Sequence, residues 1–276
     1  MGAPLRAAAV ALAALVVLVV VLAVAFAFIG IYRLAEYNAK YSTVRAPRYR
    51  LSEVYPRLKT GDLVLFVATT HAPANSMLTQ TFHSHAGVLL REGELVYVAE
   101  AQPALELMPD PGRPGADIRM RHGADITPLL TRLKYYTGDY YVLRLARPLG
   151  PAAEEALKRE AEHLRRAGPP YPSAWQILLG VLGRKTRSRH CFQHVARLLD
   201  VAGLAPAGGG PLEAAGFSGV CAEVCGIAGR PLPGGNAYRP PAQLVYDLDA
   251  APPSDDEGGE HGGCEHEHGG DVGGTP

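Results

Sequence analysis

The sequence predicts an α+β domain that follows an N-terminal apolar helix. Three observations support this prediction: a long uncharged segment opens the chain, strand-like apolar runs occupy the middle, and helical patterns come after them. Runs of strands followed by runs of helices are typical of α+β domains. A chain of 276 residues is long enough to bury a full core, and no internal repeat divides it.

The first element is the segment from Ala7 to Ile31, which carries no charged side chain. A bilayer core about 30 Å thick needs about 20 apolar helical residues. We therefore predict that residues 1–33 form a single-pass transmembrane anchor. More basic residues follow this segment than precede it, which favours a cytosolic domain. The alternative is a signal peptide, cut at an Ala-x-Ala triplet within residues 23–27, which would leave an exported domain.

Three further segments follow the anchor. Residues 34–57 are a polar connector that contains tyrosines, and residues 58–248 are the predicted domain. Residues 249–276 are rich in Gly, His and acidic residues, a composition that cannot bury enough apolar surface to fold.

Within the domain, short apolar runs predict strands, and the Pro- and Gly-rich stretch Gln102–Gly123 predicts a long loop. The strand-like runs are Asp62–Val67, His85–Leu90, Glu94–Ala101 and Tyr140–Leu145.

Helical patterns follow. Acidic residues early and basic residues late suit a helix dipole over Ala152–Ala167, and the Gly-Pro-Pro that follows ends it. A second helix is predicted over Ser173–Leu182. The third covers Arg189–Ala202, with Ser188 as the predicted N-cap and Gly203 as the terminator.

Composition excludes some classes of function. The chain has 27 basic and 27 acidic residues, and this balance argues against a nucleic-acid-binding protein. The four cysteines, Cys191, Cys221, Cys225 and Cys264, show neither a repeated metal-binding spacing nor a disulfide framework. We expect Cys221 and Cys225 to be buried thiols on one turn of a helix, and the alternative is that they pair with each other if the domain is secreted.

Cys191 is the candidate nucleophile. It falls in the first turn of the third predicted helix, where unpaired backbone amides and the helix dipole stabilise a thiolate. The flanking Arg187 and Arg189 add positive potential. A thiolate is the form that attacks a carbonyl carbon. Taken alone, however, a cysteine on an apolar helix face is more often a packing residue.

Two histidines are candidates for the base. His83 and His85 stand immediately before an apolar strand, and Gly87 permits a close backbone approach. A neutral imidazole there can take a proton from a thiol and return it to a leaving group. The alternative is that the histidine is only a polar residue at the end of a strand. Spacing does not decide whether His83 or His85 is the base.

Glu100 is the candidate third member. It ends an otherwise apolar strand, and a carboxylate on the inner side of a strand needs a partner. An imidazole N–H is a natural one, as in other nucleophile–base triads. The alternative is that Glu100 points into solvent.

Four motifs in order resemble the circularly permuted papain-like cysteine amidases and peptidases, the superfamily that contains YiiX/YebB-like proteins. They are LKTGDLVLF, SHAGVLL, VYVAEA and HCFQHVARLLDVAGL, and a Pro-rich exit over Pro240–Leu248 follows them. The resemblance covers about residues 58–248. It implies an antiparallel sheet or barrel with helices, His85 as base, Glu100 as third member and Cys191 as nucleophile.

The resemblance implies a membrane-anchored cysteine hydrolase or acyltransferase that cleaves an amide or ester bond without a cofactor. The expected partners are the lipid bilayer and a peptide or acyl-lipid substrate, with no nucleic acid. Two alternatives stay open. One is a non-catalytic, membrane-tethered binding module of the same fold, and the other is a metal-binding protein that uses His190 and His194, one helical turn apart.

Overall fold

The structure of the chain is a computed structural model. It describes residues 8, 10–25, 28, 46–68, 83–103, 107–109, 117–119, 122–136, 138–181, 188–206, 210–215 and 217–248. The predicted tail 249–276, with Cys264, lies outside the described residues.

Residues 10–25 form helix α1, and its large apolar side chains are exposed. Within the described part of the chain, no helix is both long enough and apolar enough to cross a bilayer. The predicted anchor, Ala7–Ile31, also includes residues outside the described part.

The remaining described helices are short except for α4, the charged helix predicted from its dipole-matched pattern. They are α2 (Leu51–Val54), α3 (Leu129–Lys134), α4 (Pro151–Ala167), α5 (Ala174–Val181), α6 (Cys191–Val201) and α7 (Phe217–Cys225).

The strands are also short, and the longest two, β3 and β4, have eight residues each. The described strands are β1 (Arg48–Arg50), β2 (Leu63–Ala68), β3 (His85–Glu92), β4 (Leu95–Gln102), β5 (Leu107–Pro109), β6 (Asp117–Arg119), β7 (Gly123–Pro128), β8 (Gly138–Leu143), β9 (Pro231–Leu232), β10 (Asn236–Ala237) and β11 (Ala242–Val245).

One seven-stranded sheet organises the molecule, in the order β1-β11-β8-β2-β3-β4-β7. Only β1 and β11 pair in parallel among the described strands of this sheet. The sheet is open, because β1 and β7 form its two edges. The prediction of a mixed α+β fold with a mostly antiparallel sheet is therefore confirmed, and the sheet is not closed.

Two hydrophobic clusters cover the two faces of the sheet. The first joins side chains such as Val88 to α4, α6 and α7, and the second joins side chains such as Leu89 to α2 and α3. Successive residues of a strand point to opposite faces, so both faces of β3 are buried. This explains why β3 reads as a continuous apolar run instead of an alternating one.

The Gly-Asp motif at the start of β2 has a structural role. Gly61 has φ +93°, and a Cβ there would lie 2.9 Å from side-chain atoms of Leu145 and Leu149. The Asp62 carboxylate accepts the amide hydrogens of Lys59 and Leu145 at 2.9 and 2.8 Å. Together, these contacts hold the start of β2 against the segment that follows β8.

The four predicted strands correspond to β2, β3, β4 and β8, and the three predicted helices to α4, α5 and α6, with small shifts at their ends. The predicted loop Gln102–Gly123 is shorter than expected. Its first and last residues pair with each other in β4 and β7, and it contains the hairpin strands β5 and β6. Part of the predicted connector 34–57 also joins the core, since Leu51 and Val54 are buried.

Candidate functional site

His85 and Glu100 lie side by side on neighbouring strands. His85 is the first residue of β3, and the register pairs Gly87 with Glu100 of β4. Because side chains two residues apart share a face, His85 lies diagonally across from Glu100 on the same face. Nε2 of His85 is 2.5 Å from Oε2 of Glu100. This leaves Nδ1 as the ring nitrogen that can serve another partner.

Gly87 makes room for this pair. A Cβ at Gly87 would lie 2.3 Å from Cγ2 of Val98 and 3.5 Å from Cβ of Glu100. Real Cβ atoms do not approach other atoms so closely, so a side chain here would force the Val98 side chain or the strands to shift. The nearest backbone atom, the carbonyl oxygen of Ala99, would lie 3.3 Å from this Cβ.

Arg132 of α3 holds the other oxygen of Glu100. Its Nε donates to Oε1 at 2.7 Å, and its guanidinium lies 5.0 and 5.3 Å from the ring centroids of Phe66 and Tyr136. Burial raises the pKa of Glu100, but the charge of Arg132 and the hydrogen bond from His85 outweigh it and lower the pKa to about 2. Glu100 is thus a fully buried carboxylate with a cationic partner at one oxygen and an imidazole at the other.

Helix α6 begins at Cys191, and His190 is its N-cap. The ring Nδ1 of His190 accepts the amide hydrogen of Phe192 at 3.2 Å, and the side chain of Gln193 accepts the amide hydrogen of His190 at 3.3 Å. The prediction that Ser188 caps this helix was wrong, because helical geometry begins two residues later than that cap requires. The prediction that Cys191 lies in the first turn is confirmed.

Cys191 and His85 interact electrostatically. Burial raises the pKa of Cys191, but the charge of His85 and side-chain hydrogen bonds with His190 and His85 outweigh it and lower the pKa to about 5. Burial lowers the pKa of His85, but the charge of Cys191 and hydrogen bonds with Cys191 and Glu100 raise it to about 9. Between these values the pair exists as a thiolate and an imidazolium.

The contact between Cys191 and His85 occurs at the start of β3. Cys191 packs in the hydrophobic cluster on the α6 side of the sheet, whereas the register places His85 on the face that carries Phe66. As the first residue of its strand, His85 can be reached from the end of the sheet. The dyad therefore joins the start of α6 to the start of β3.

Tyr171 also borders Cys191. Burial raises the pKa of its phenol well above the usual value, and the charge of Cys191 and a hydrogen bond with its side chain add to this rise. A hydrogen bond with the Cys191 backbone acts in the opposite direction. The phenol oxygen thus lies beside both the sulfur and the backbone amide of the candidate nucleophile.

His83 occupies a different environment from His85. It is buried, and its ring lies edge-on to that of Tyr141, with centroids 5.7 Å apart. Burial lowers its pKa to about 3, so this ring is neutral. Sequence spacing did not decide whether His83 or His85 is the candidate base. In the structure, it is His85 that contacts Glu100.

The pair proposed for a metal, His190 and His194, is buried at the start of α6. One ring nitrogen of His190 serves as the helix cap. Burial, followed by the charge of Arg189, lowers the pKa of His194 to about 4. Across the residues that the structure describes, no group of three or more His, Cys, Asp or Glu side chains could hold a metal ion.

Cys221 and Cys225 lie on α7 as buried thiols, as predicted, and form no disulfide with each other. Burial, with smaller contributions from the charges of Cys191 and Cys225, raises the pKa of Cys221 well above its usual value. The chemically distinct thiol among these three is therefore Cys191.

Sequence reasoning placed Cys191, His85 and Glu100 together but missed Arg132 and Tyr171. Arg132 interrupts the apolar spacing of a short helix that reads LLTRLK, three residues after Leu129. An arginine on the apolar side of a helix is a signal for a buried carboxylate partner. Tyr171 lies in a Pro-rich connection, where no periodicity indicates its direction.

No protein-family model and no curated protein matches this chain. Among solved structures, it is similar to the crystal structure of the metalloprotein YiiX (DUF1105) from Escherichia coli O157:H7, at 20% identity and a TM-score of 0.36. The similarity covers 52% of this chain and 66% of that one. At this level the similarity assigns neither a family nor a function to the chain.

Proposed function

We propose that this chain is a membrane-anchored cysteine hydrolase or acyltransferase that cleaves an amide or ester bond through Cys191, His85 and Glu100. The observation that carries the proposal is the arrangement of buried groups, with Cys191 at the start of α6 and the His85 imidazole held by the buried Glu100 carboxylate. The charge of His85 lowers the pKa of Cys191 to about 5, and the charge of Cys191 raises the pKa of His85 to about 9. Perturbed values of this kind are typical of activated nucleophiles, and Glu100 orients the imidazole at 2.5 Å.

In the proposed mechanism, the Cys191 thiolate attacks the carbonyl carbon, forming a C–S bond while the carbonyl π electrons move to oxygen. The backbone amide of Cys191, at the start of α6, donates a hydrogen bond to this oxyanion. When the oxyanion collapses, the bond to the leaving amine or alcohol breaks, and the leaving group takes the proton of the His85 imidazolium.

The resulting thioester is released in a second half-reaction. His85, now neutral, removes a proton from water or from another acceptor, whose oxygen or nitrogen attacks the thioester carbonyl. The thiolate leaves, and the imidazolium is regenerated. Glu100 stays ionised throughout and stabilises the imidazolium without taking its proton.

The finer fold assignment is part of the same proposal. The order of the four motifs, with the histidine strand before the cysteine helix, supports a circularly permuted papain-like domain. The apolar segment Ala7–Ile31 supports an anchor that holds this domain at a bilayer, which favours a lipid-linked or membrane-proximal substrate.

Alkylation of the full chain with iodoacetamide across a pH series tests the proposal. Trypsin releases Cys191 in the fragment His190–Arg197, apart from Cys221, Cys225 and Cys264, so mass spectrometry measures alkylation of Cys191 separately. We expect Cys191 to react with a midpoint near pH 5 and the buried thiols Cys221 and Cys225 to stay unmodified. His85→Ala should slow alkylation of Cys191 at about pH 6 by roughly a hundredfold, because the thiolate loses its cation.

His163→Ala is the matched control, since this histidine is exposed on α4. It should leave the pH dependence of Cys191 alkylation unchanged.

Hydrolysis of p-nitrophenyl esters and p-nitroanilides by the same proteins tests turnover, which Cys191→Ala should abolish. Turnover should fall below about pH 5 as the thiolate is protonated and above about pH 9 as the imidazolium is lost. Alkylation of Cys191 with an ordinary midpoint, about 8.5, would contradict the proposal.

A further inference from the structure

The carboxylate that orients the candidate base is itself held by an arginine. Nε of Arg132 donates to Oε1 of Glu100 at 2.7 Å, while Nε2 of His85 lies 2.5 Å from Oε2 of the same carboxylate. Glu100 is 0% exposed and Arg132 is 8% exposed, so both contacts form away from bulk water. One buried carboxylate therefore bridges an arginine of α3 and the histidine at the start of β3.

The guanidinium of Arg132 packs against two aromatic rings. It lies 5.0 Å from the ring centroid of Phe66 and 5.3 Å from that of Tyr136. The centroid of the Phe66 ring is in turn 5.3 Å from that of the His85 imidazole. Stacking on aromatic faces favours one orientation of the planar guanidinium and its donors. Phe66 therefore contacts both the candidate base and the cation on the far side of Glu100.

A second carboxylate lies opposite Glu100 in the sheet. The register of β4 and β7 pairs Glu100 with Asp125, which is also buried. Directly paired side chains share a face of the sheet, and like charges in that arrangement repel each other. Repulsion between carboxylates favours binding of a proton to one of them. The cation of Arg132 opposes this at Glu100.

Ionisable groups lie around Glu100 on each of the elements packed against it. They are His85 of β3, Asp125 of β7, Arg132 of α3, Tyr136 in the segment after α3, and His194 of α6. Burial, followed by the charge of Arg189, lowers the pKa of His194 to about 4, so this ring is neutral. The cations that contact the two oxygens of Glu100 are thus Arg132 and the protonated His85.

The charge balance of the site explains why a cation beyond Glu100 matters for the nucleophile. A Cys191 thiolate, a His85 imidazolium, a Glu100 carboxylate and the Arg132 guanidinium together carry no net charge. Without the guanidinium, the same ionisation state would leave an excess negative charge in a buried site, which is costly. The remaining groups would then bind another proton, on the carboxylate or on the thiolate. A proton on either one weakens the ion pair between Cys191 and His85.

We infer that Arg132 is a positioning residue that keeps Glu100 ionised and in place, and that through Glu100 it sustains the His85 imidazolium beside the Cys191 thiolate. The inference rests on the proposed function, because it concerns the ionisation of the same nucleophile. Arg132 acts on the carboxylate and not on the reacting atoms. Its effect can therefore be separated from that of Glu100 by substituting each residue alone and both together.

The test measures alkylation of Cys191 with iodoacetamide against pH in full chains that carry Arg132→Met, Glu100→Gln or both substitutions. We expect the alkylation midpoint of Arg132→Met to rise by about one pH unit, so the reaction at about pH 5 slows roughly fivefold. Glu100→Gln should raise the midpoint at least as far, because glutamine keeps the shape of glutamate without its charge. The double variant should have the midpoint of Glu100→Gln, since the carboxylate through which Arg132 acts is gone.

Lys134→Met is the matched control, because it removes an exposed cation from the same helix. It should leave the alkylation midpoint unchanged. If Lys134→Met raises the midpoint as far as Arg132→Met does, the net charge of the helix is responsible and the inference is wrong. A double variant with a midpoint above that of Glu100→Gln would also contradict it, since Arg132 would then act independently of the carboxylate.

If Arg132→Met does not fold, the double variant still tests the inference. Glu100→Gln removes the buried charge that has lost its partner, so the double variant should fold and have the alkylation midpoint of Glu100→Gln. A double variant that does not fold either would show that Arg132 contributes packing, and the inference would be wrong.

A folded Arg132→Met protein with the wild-type alkylation profile would also overturn the inference. This failure is distinct from failure of the proposed function. In the latter case, wild-type Cys191 itself would titrate like an ordinary thiol, and His85→Ala would change nothing.

Discussion

Four ionised side chains alternate in sign through the candidate site. The Cys191 thiolate meets the His85 imidazolium, which meets the Glu100 carboxylate, which meets the Arg132 guanidinium. Each buried charge therefore has an opposite neighbour, the arrangement that makes buried ions tolerable. Arg132 is the last of these charges, and its guanidinium lies over the rings of Phe66 and Tyr136.

Arg132→Met tests the end of this chain. The substitution leaves Glu100 buried with only His85 as partner, and breaking a buried ion pair costs about 3 kcal/mol of unfolding free energy. The pKa of Glu100, now about 2, should rise toward or above its ordinary value. A carboxylate with a depressed folded-state pKa stabilises the protein above its unfolded pKa, about 4.5, and this stabilisation disappears as pH falls toward 2.

Urea unfolding of wild type and Arg132→Met at about pH 7 and pH 3 measures the difference between their free energies of unfolding. This difference should be larger at the higher pH. Lys134→Met on the same helix removes an exposed cation and should change the free energy of unfolding by less than about 0.5 kcal/mol. An equal loss of stability at both pH values would show that Arg132 contributes packing and not charge.

At the level of elements, β3 and β4 bring the base and its carboxylate together. Their register places Gly87 opposite Glu100, and the missing side chain at Gly87 leaves room for Val98. Both strands were predictable because they are apolar runs with β-branched residues. The edge strand β7 was not, because its sequence, GADITP, has weak strand propensity and it forms by pairing with β4.

Gly87→Ala should disrupt the site through this register. Its Cβ would overlap Cγ2 of Val98, so the Val98 side chain or the strands must shift, which costs roughly 1–3 kcal/mol of unfolding free energy. The contact between His85 and Glu100 should loosen, and the alkylation midpoint of Cys191 should rise. Adding Val98→Ala removes the overlapping methyl group and should restore part of both losses. If the double variant has the same free energy of unfolding and the same alkylation midpoint as Gly87→Ala, the overlap with Val98 is not the cause of these changes.

At the scale of the whole molecule, the start and end of the domain meet. β1 pairs in parallel with β11, and the side chain of Ser52 donates to the carboxylate of Asp247 at 2.5 Å. The segment between the apolar N-terminus and the domain therefore includes an edge strand of the sheet, Arg48–Arg50.

Membrane fractionation tests the predicted anchor. We expect the full chain to stay in the membrane fraction after alkaline carbonate and to be released by detergent, because the segment Ala7–Ile31 carries no charge. Deletion of residues 1–33 should release the protein. N-terminal sequencing of the membrane form checks the alternative, since a mature chain that begins after Ala25 or Ala27 would contradict an uncleaved anchor.

The sequence by itself determined the α+β class and the order of the main strands and helices, because apolar runs and dipole-matched charges are local signals. It made Cys191, His85 and Glu100 candidates, but only the resemblance of four ordered motifs to a known family joined them into one set, since spacing left the choice between His83 and His85 open. Only the tertiary structure decided that His190 caps α6 instead of Ser188, since a cap depends on where helical geometry begins. It also decided that Arg132 and Tyr171 reach the site, because residues far apart in sequence meet there through the sheet register and helix packing, which no local pattern contains.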